Sequence, residues 1–255
     1  MLYSVKLVNS EERIYECFCE GVLRKIIYFL STKNQDVVLG GIMSSTNEIK
    51  SEIRRFIPET VIEEDLLDKI VEIGNKYGWG HGEKHATRVA KLTVDLWISA
   101  ENMGLVGKNL DVKRALYTAA LLHDVSWDYR NKDIHHELSA EIIRDKLQDR
   151  SLAERSSIIA YYHRKKPNPL DDERIKDDRD MLLAIAVLRI ADALDYGPNR
   201  VVNAFFSEKD EESITIEVCA DSLDIDVGRV EKKGKLLEDL LKKKMKIKMF
   251  IYRQL

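Results

Sequence analysis

Residues 119–124 read Ala119-Ala120-Leu121-Leu122-His123-Asp124. Four apolar residues at the end of a helical run lead straight into an imidazole and a carboxylate. Such a run packs inside a fold, and two polar groups buried at its end are costly unless something pairs with them. A divalent cation would pair with both. The competing reading is a helix that frays into solvent at His123.

Outward from this dyad, residues 59–197 read as almost all helix. Ile62 to Tyr77 ends in the turn Gly78-Trp79-Gly80. From Gly82 to Met103, Ala86, Val89, Ala90, Thr93, Trp97 and Ala100 recur at helical spacing. Asp111 is placed to cap the helix that reaches His123. A further helix opens near His136, and Ala153 to Arg164 is halted by Pro167-Asn168-Pro169. Met181 to Tyr196 is strongly apolar and ends at Gly197-Pro198. The charge run 171–180 reads as a solvated loop or helix start.

All six histidines (His81, His85, His123, His135, His136 and His163) fall in this section. A second carboxylate, Asp192, shares a helical face with Ile185 and Leu188. A carboxylate on an apolar face needs a cation. Arg189 could supply it as an ion-pair partner, or a metal could. Ligand-type residues near the ends of four helices suit a metal site in a bundle core.

The flanks differ in character. Residues 1–58 read as a small α+β unit, with strands at Tyr3–Val8, Arg13–Cys19 and Asp36–Met43 and helices at Gly21–Leu30 and Ser45–Ile57. Residues 198–255 read as a second. Its strands are expected at Val201–Phe206, Ser213–Cys219, Leu223–Val227 and Lys246–Tyr252, around a lysine-rich helix at Glu231–Lys244. Lys242-Lys243-Lys244 reads as a solvated helix face, with polyanion contact as the alternative.

The chain has 255 residues, 44% hydrophobic and 33% charged, with a net charge of −3. That excludes wholesale disorder and forces no nucleic-acid partner. No apolar run approaches the roughly 18–20 residues of a membrane span. Cys17, Cys19 and Cys219 are too few for a disulfide framework. They read as reduced thiols, and the opening residues lack a signal-peptide pattern, so a cytoplasmic location is expected.

The order His85, His123-Asp124, Asp192 resembles the HD-domain metal-dependent phosphohydrolase superfamily. The stretches His135-His136-Glu137-Leu138-Ser139-Ala140, Tyr162-His163-Arg164 and Leu188 to Asp195 are most similar to the C-terminal HD portion of the exopolyphosphatase/guanosine-pentaphosphate phosphatase family. The likeness spans roughly residues 60–255. The ATPase-like domains that carry that family's polyphosphate chemistry have no counterpart in residues 1–58, so that activity is not implied.

The resemblance implies a mainly α fold, an HD-domain helical bundle with small α+β flanking units. It implies one divalent ion on His85, His123, Asp124 and Asp192. Asp124 would bridge to a second ion on His136 and His163, with His135 the competing choice for His136. Asp124 and His123 would be the catalytic dyad. Mn, Fe, Co, Ni or Zn would suit these ligands better than Mg. Arg164 and Arg189 would contact phosphate, and Trp127 and Tyr129 would stack on a base or pack. The implied function is hydrolysis of a nucleotide or another small phosphoester. The alternatives are a nuclease on single-stranded nucleic acid, which the near-neutral charge weighs against, and a non-catalytic sensing module. The implied partner is a small phosphorylated substrate, with no membrane, and a homodimer is left open.

Overall fold

The computed structural model describes residues 5–8, 14–16, 45–126, 132–197, 200–222 and 224–252. The expected helix at Gly21–Leu30, the strand at Asp36–Met43, and Trp127 and Tyr129 lie outside the described residues. The described helices are α1 (Thr46–Arg54), α2 (Glu64–Tyr77), α3 (Glu83–Asn102), α4 (Leu110–Leu122), α5 (His135–Lys146), α6 (Arg150–Tyr161), α7 (Arg179–Leu194) and α8 (Val227–Leu241). The fold is mainly α, as expected. Among the described residues no helix is long and apolar enough to cross a membrane.

Side-chain caps set where several helices begin, since the first N–H groups need acceptors. Ser45 and Glu48 form a reciprocal capping box at α1. Asn109, not Asp111, caps α4 by accepting from the Val112 amide. Asp149 caps α6 and Asp178 caps α7. Asp226 caps α8. The helix therefore begins at Val227, ahead of the expected Glu231, and the described residues 224–226 just before it form no strand.

α7 is the central rod. Every residue from Met181 to Leu194 is buried, which is why this segment is apolar on all sides rather than along one stripe. Helices α3, α4, α6 and α8 all pack against it.

The strands are β1 (Val5–Val8), β2 (Ile14–Glu16), β3 (Val201–Lys209), β4 (Ser213–Ala220) and β5 (Lys244–Tyr252). They form one sheet in the order β2-β1-β5-β4-β3. β3 and β4 are antiparallel neighbours, whereas β4 and β5 run parallel. A parallel pair needs a crossover, and α8 provides it. β1 pairs antiparallel with β5, Val5 opposite Tyr252. Strands of the first and last sections thus belong to one sheet, although composition divides them. Lys242 ends α8 in a left-handed conformation. Lys243 then bonds the Asp210 and Glu211 carbonyls, so the lysine cluster is a turn staple rather than a helix face.

The sheet is fastened to the bundle along α3. Lys91 Nζ lies 2.7 Å from the Val202 carbonyl and 2.6 Å from Asn203 Oδ1, while also pairing with Asp95. The Phe206 amide donates to Ser99 Oγ at 2.9 Å.

Candidate metal centre

The helical run through Ala119–Leu122 is buried, and it delivers His123 and Asp124 into the interior. His123 Nδ1 lies 2.9 Å from the Ala120 carbonyl, so it carries the proton and Nε2 keeps a lone pair. His163, just past α6, repeats this with the Ala160 carbonyl at 2.6 Å. His85, in the first turn of α3, places Nδ1 2.7 Å from Asp195 Oδ2. Three imidazoles from three helices are therefore oriented with Nε2 free to face the same carboxylate.

That carboxylate is Asp124. Its Oδ2 lies 3.7 Å from His85 Nε2 and 3.5 Å from His123 Nε2. Its Oδ1 lies 3.2 Å from His135 Nε2 and 3.3 Å from His163 Nε2. Two ligand-type triads, His85-His123-Asp124 and Asp124-His135-His163, share this residue, each with its ligand atoms within 4.8 Å of one another. Asp192 Oδ1 sits 3.9 Å from both His85 Nε2 and His123 Nε2.

These residues fit a metal. His85 Nε2 and His123 Nε2 are buried with no hydrogen-bond partner among the described groups. Leaving such atoms unsatisfied costs about 1–3 kcal/mol each. His135 Nε2 and His163 Nε2 lie only 3.2 Å apart. Ligand atoms about 2.1 Å from a shared ion would stand roughly 3.0–3.4 Å from one another, close to these separations.

The electrostatics favour the ligand forms of Asp124, Asp192 and His163, while the carboxylates around His85 favour its protonated ring until a cation displaces the proton. Burial would raise the Asp124 carboxyl, but the surrounding His123, His135 and His163 rings outweigh it and hold it well below the usual carboxylate range. Asp192 is likewise held low: burial opposes this, and Lys233, His123 and His163 overcome it. Burial drives the His163 ring down to about 4, so it is neutral near pH 7. For His85, burial pulls down, yet the Asp195 bond and the nearby Asp192 and Asp124 charges carry its pKa above the ordinary value.

His135 is brought to the centre and His136 is not. Consecutive helical residues point about 100° apart, so only one of an adjacent pair can face Asp124. His136 packs instead with its ring 5.4 Å from that of Tyr161. The start of α5 is fixed by Ser126, whose Oγ donates to the His135 carbonyl at 2.7 Å and lies 3.0 Å from Ser139 Oγ.

Arg189 meets neither expectation. Its guanidinium donates to the Tyr162 carbonyl at 2.6 Å and the Pro167 carbonyl at 3.2 Å. It braces the loop beyond α6, away from the cavity, and burial lowers its pKa to about 10. The cation that serves Asp192 is Lys233 on α8, 2.9 Å from Oδ2. Arg164 does line the cavity, with Nη1 held 2.7 Å from the Asp133 carbonyl.

Besides Lys233, two supporting residues escaped sequence reasoning. Asp195 receives His85 and also Arg88, at 2.5 Å to Nε and 2.9 Å to Nη2. Its placement three residues after Asp192, at the end of α7, was the available signal. Gly80 has φ +70°, and a Cβ there would come within 2.4 Å of the Asp124 carbonyl oxygen. The Gly-rich turn thus lets the chain press against the dyad.

A cavity of about 660 Å³ opens over the cluster. Asp124, His135 and His163 form part of its lining, and Arg88, Arg164, Lys165, Arg229 and Lys233 add five cations.

Residues 82–197 match the family model for the HD domain. The matched stretch holds His85, His123, Asp124, His135, His163, Asp192 and Asp195, and ends before Lys233. The match covers less than half of the chain, supports a likeness to the HD-domain superfamily, and does not single out the exopolyphosphatase/guanosine-pentaphosphate phosphatase group. No curated protein matches the chain.

Proposed function

We propose that this chain is a metal-dependent phosphohydrolase acting on a nucleotide or another small phosphoester. The observation that supports this best is Asp124, each of whose oxygens faces two imidazoles. HD domains are mostly metal-dependent hydrolases, and the stretch that matches that family contains both triads.

In this reading His85, His123, Asp124 and Asp192 would hold one divalent ion, and Asp124, His135 and His163 would hold a second. Mixed nitrogen and oxygen donors suit Mn, Fe, Co, Ni or Zn better than Mg. Bound divalent metal supplies Lewis acidity and brings the pKa of a water towards neutrality. The chain's own residues supply the rest. The Ala120 and Ala160 carbonyls and the Asp195 carboxylate fix the imidazole tautomers. Arg164 offers a planar donor to substrate phosphate at the cavity edge. The reduced-thiol reading of the three cysteines supports a cytoplasmic location.

The test is metal analysis of the purified protein, followed by a phosphatase screen over nucleotides, pyrophosphates, polyphosphate and single-stranded DNA. The expected outcome is divalent metal and release of phosphate from a small phosphoester or anhydride, both lost in Asp124→Ala. A folded, metal-free Asp124→Ala protein that keeps the wild-type rate would overturn the reading. Cleavage confined to single-stranded DNA would assign a nuclease instead.

A further inference from the structure

Lys233 comes from α8, beyond the stretch that matches the HD domain. Its side chain is only 12% exposed. Its Nζ donates to Asp192 Oδ2 at 2.9 Å and to the His163 carbonyl at 2.8 Å. An ammonium has three N–H donors, so two are taken. Among the described residues nothing else accepts from it, and the side chain lines the cavity over the cluster.

The division of Asp192 matters. Oδ2 takes Lys233, while Oδ1 is turned to the Nε2 atoms of His85 and His123. Lys233 therefore leaves the metal-facing oxygen clear. Yet an ammonium beside groups built to hold divalent cations is electrostatically unfavourable, because like charges at short range repel strongly in a buried setting. An anion placed against both relieves the conflict. Arg229, one helical turn earlier on the same face, lines the same cavity. Its guanidinium lies 3.8 Å from the centre of the Tyr196 ring, which holds a second phosphate-binding group in place beside the first.

We propose that Lys233 is a substrate-contacting residue: its ammonium takes a non-bridging oxygen of the phosphoryl group seated over the His/Asp cluster, with Arg229 as a second contact, so that the C-terminal unit completes the active site. This rests on the phosphohydrolase reading, in which metal and phosphate share the cavity.

The probe is inorganic phosphate, titrated calorimetrically into the protein with and without Mn²⁺, alongside Mn²⁺ titrations and thermal melts. Lys233→Met should keep its Mn²⁺ sites and weaken phosphate binding on the order of 10–100-fold, the range for one charge-assisted contact. Lys233→Gln keeps an N–H donor for Asp192 on a side chain one atom shorter, so it tests the charge even if the methionine variant fails to fold. Lys233→Arg should recover most of the affinity, and Arg229→Gln should show a smaller loss. Phosphate affinity unchanged in Lys233→Gln, whatever happens to Mn²⁺, would overturn the proposal and leave Lys233 as a brace for Asp192. So would a wild-type protein that binds no phosphate in either form. A wild-type protein that hydrolyses nothing, yet binds phosphate through Lys233, would sink the enzyme reading while upholding this contact.

Discussion

Asp195→Asn removes one charge and almost no volume from a site that two elements depend on. The carboxylate is 1% exposed and accepts from His85 Nδ1 and from two nitrogens of Arg88. An amide offers one acceptor oxygen and turns a donor towards groups that already donate. Hydrogen bonds to charged groups contribute about 1.5–3 kcal/mol each. Stranding a buried charge costs about 3–5 kcal/mol, but the Arg88 side chain is 37% exposed and water can solvate it. The net loss should therefore be about 2–3 kcal/mol, a fall in Tm of about 4–12 °C for a chain of this size. The effect on the metal centre is separate. Without Asp195 the Nδ1 proton of His85 is no longer fixed, and loss of such a supporting carboxylate lowers metal affinity about 10–100-fold. Thermal melts in chelator measure the first effect, and calorimetric Mn²⁺ titration of the folded variant measures the second. A lowered Tm with wild-type Mn²⁺ affinity would refute the claim that Asp195 orients His85 for metal.

Three further outcomes are expected. His135→Ala should lower Mn²⁺ affinity at least about tenfold, while His136→Ala should leave it near the wild-type value; the reverse result in Mn²⁺ titrations would return the site to His136. Gly80→Ala forces a positive φ on a side chain whose Cβ meets the Asp124 carbonyl, so it should destabilise by at least about 2 kcal/mol and disturb Mn²⁺ binding, and an unchanged melt would contradict this close approach. The Arg174 bond, against the opposing effect of burial, sets the Asp172 carboxyl at about 2. Its stabilising contribution is thus complete above the unfolded value of about 3.9 and lost as pH falls through about 2. Between those limits the Tm of the wild type should drop more steeply than that of Asp172→Asn, and parallel Tm-against-pH curves would refute it.

The dyad was legible because Ala119–Leu122 could be nothing but interior, so the polar pair after them demanded a partner. Asp192 was legible for the same reason, from its place on the Ile185–Leu188 face. The choice between His135 and His136 was not. Both are buried, and a helical period cannot tell which of two neighbours faces a residue on another helix. Arg189 was the nearest cation in sequence to Asp192, but the Tyr162 and Pro167 carbonyls claim it. Lys233 was one lysine in a lysine-rich helix, 41 residues from its partner, and only the packing of α8 on α7 singles it out. The caps at Asn109 and Asp226 show the same limit at short range, since several Asn and Asp residues were available and backbone geometry selected one.

The crossover that carries Lys233 also sets an order of events during synthesis. All the histidines and both Asp124 and Asp192 leave the ribosome before Lys233 does, and β5 follows later still. Until then Asp192 lacks its ammonium, and the central helix lacks the face that α8 covers. The growing chain thus passes through a stage in which the whole ligand set exists but the ion pair to Asp192 does not. A divalent ion captured at that stage would steady the bundle before the sheet is complete. The last helix would then close over a bundle whose ligand residues are already in place, with Lys233 arriving last.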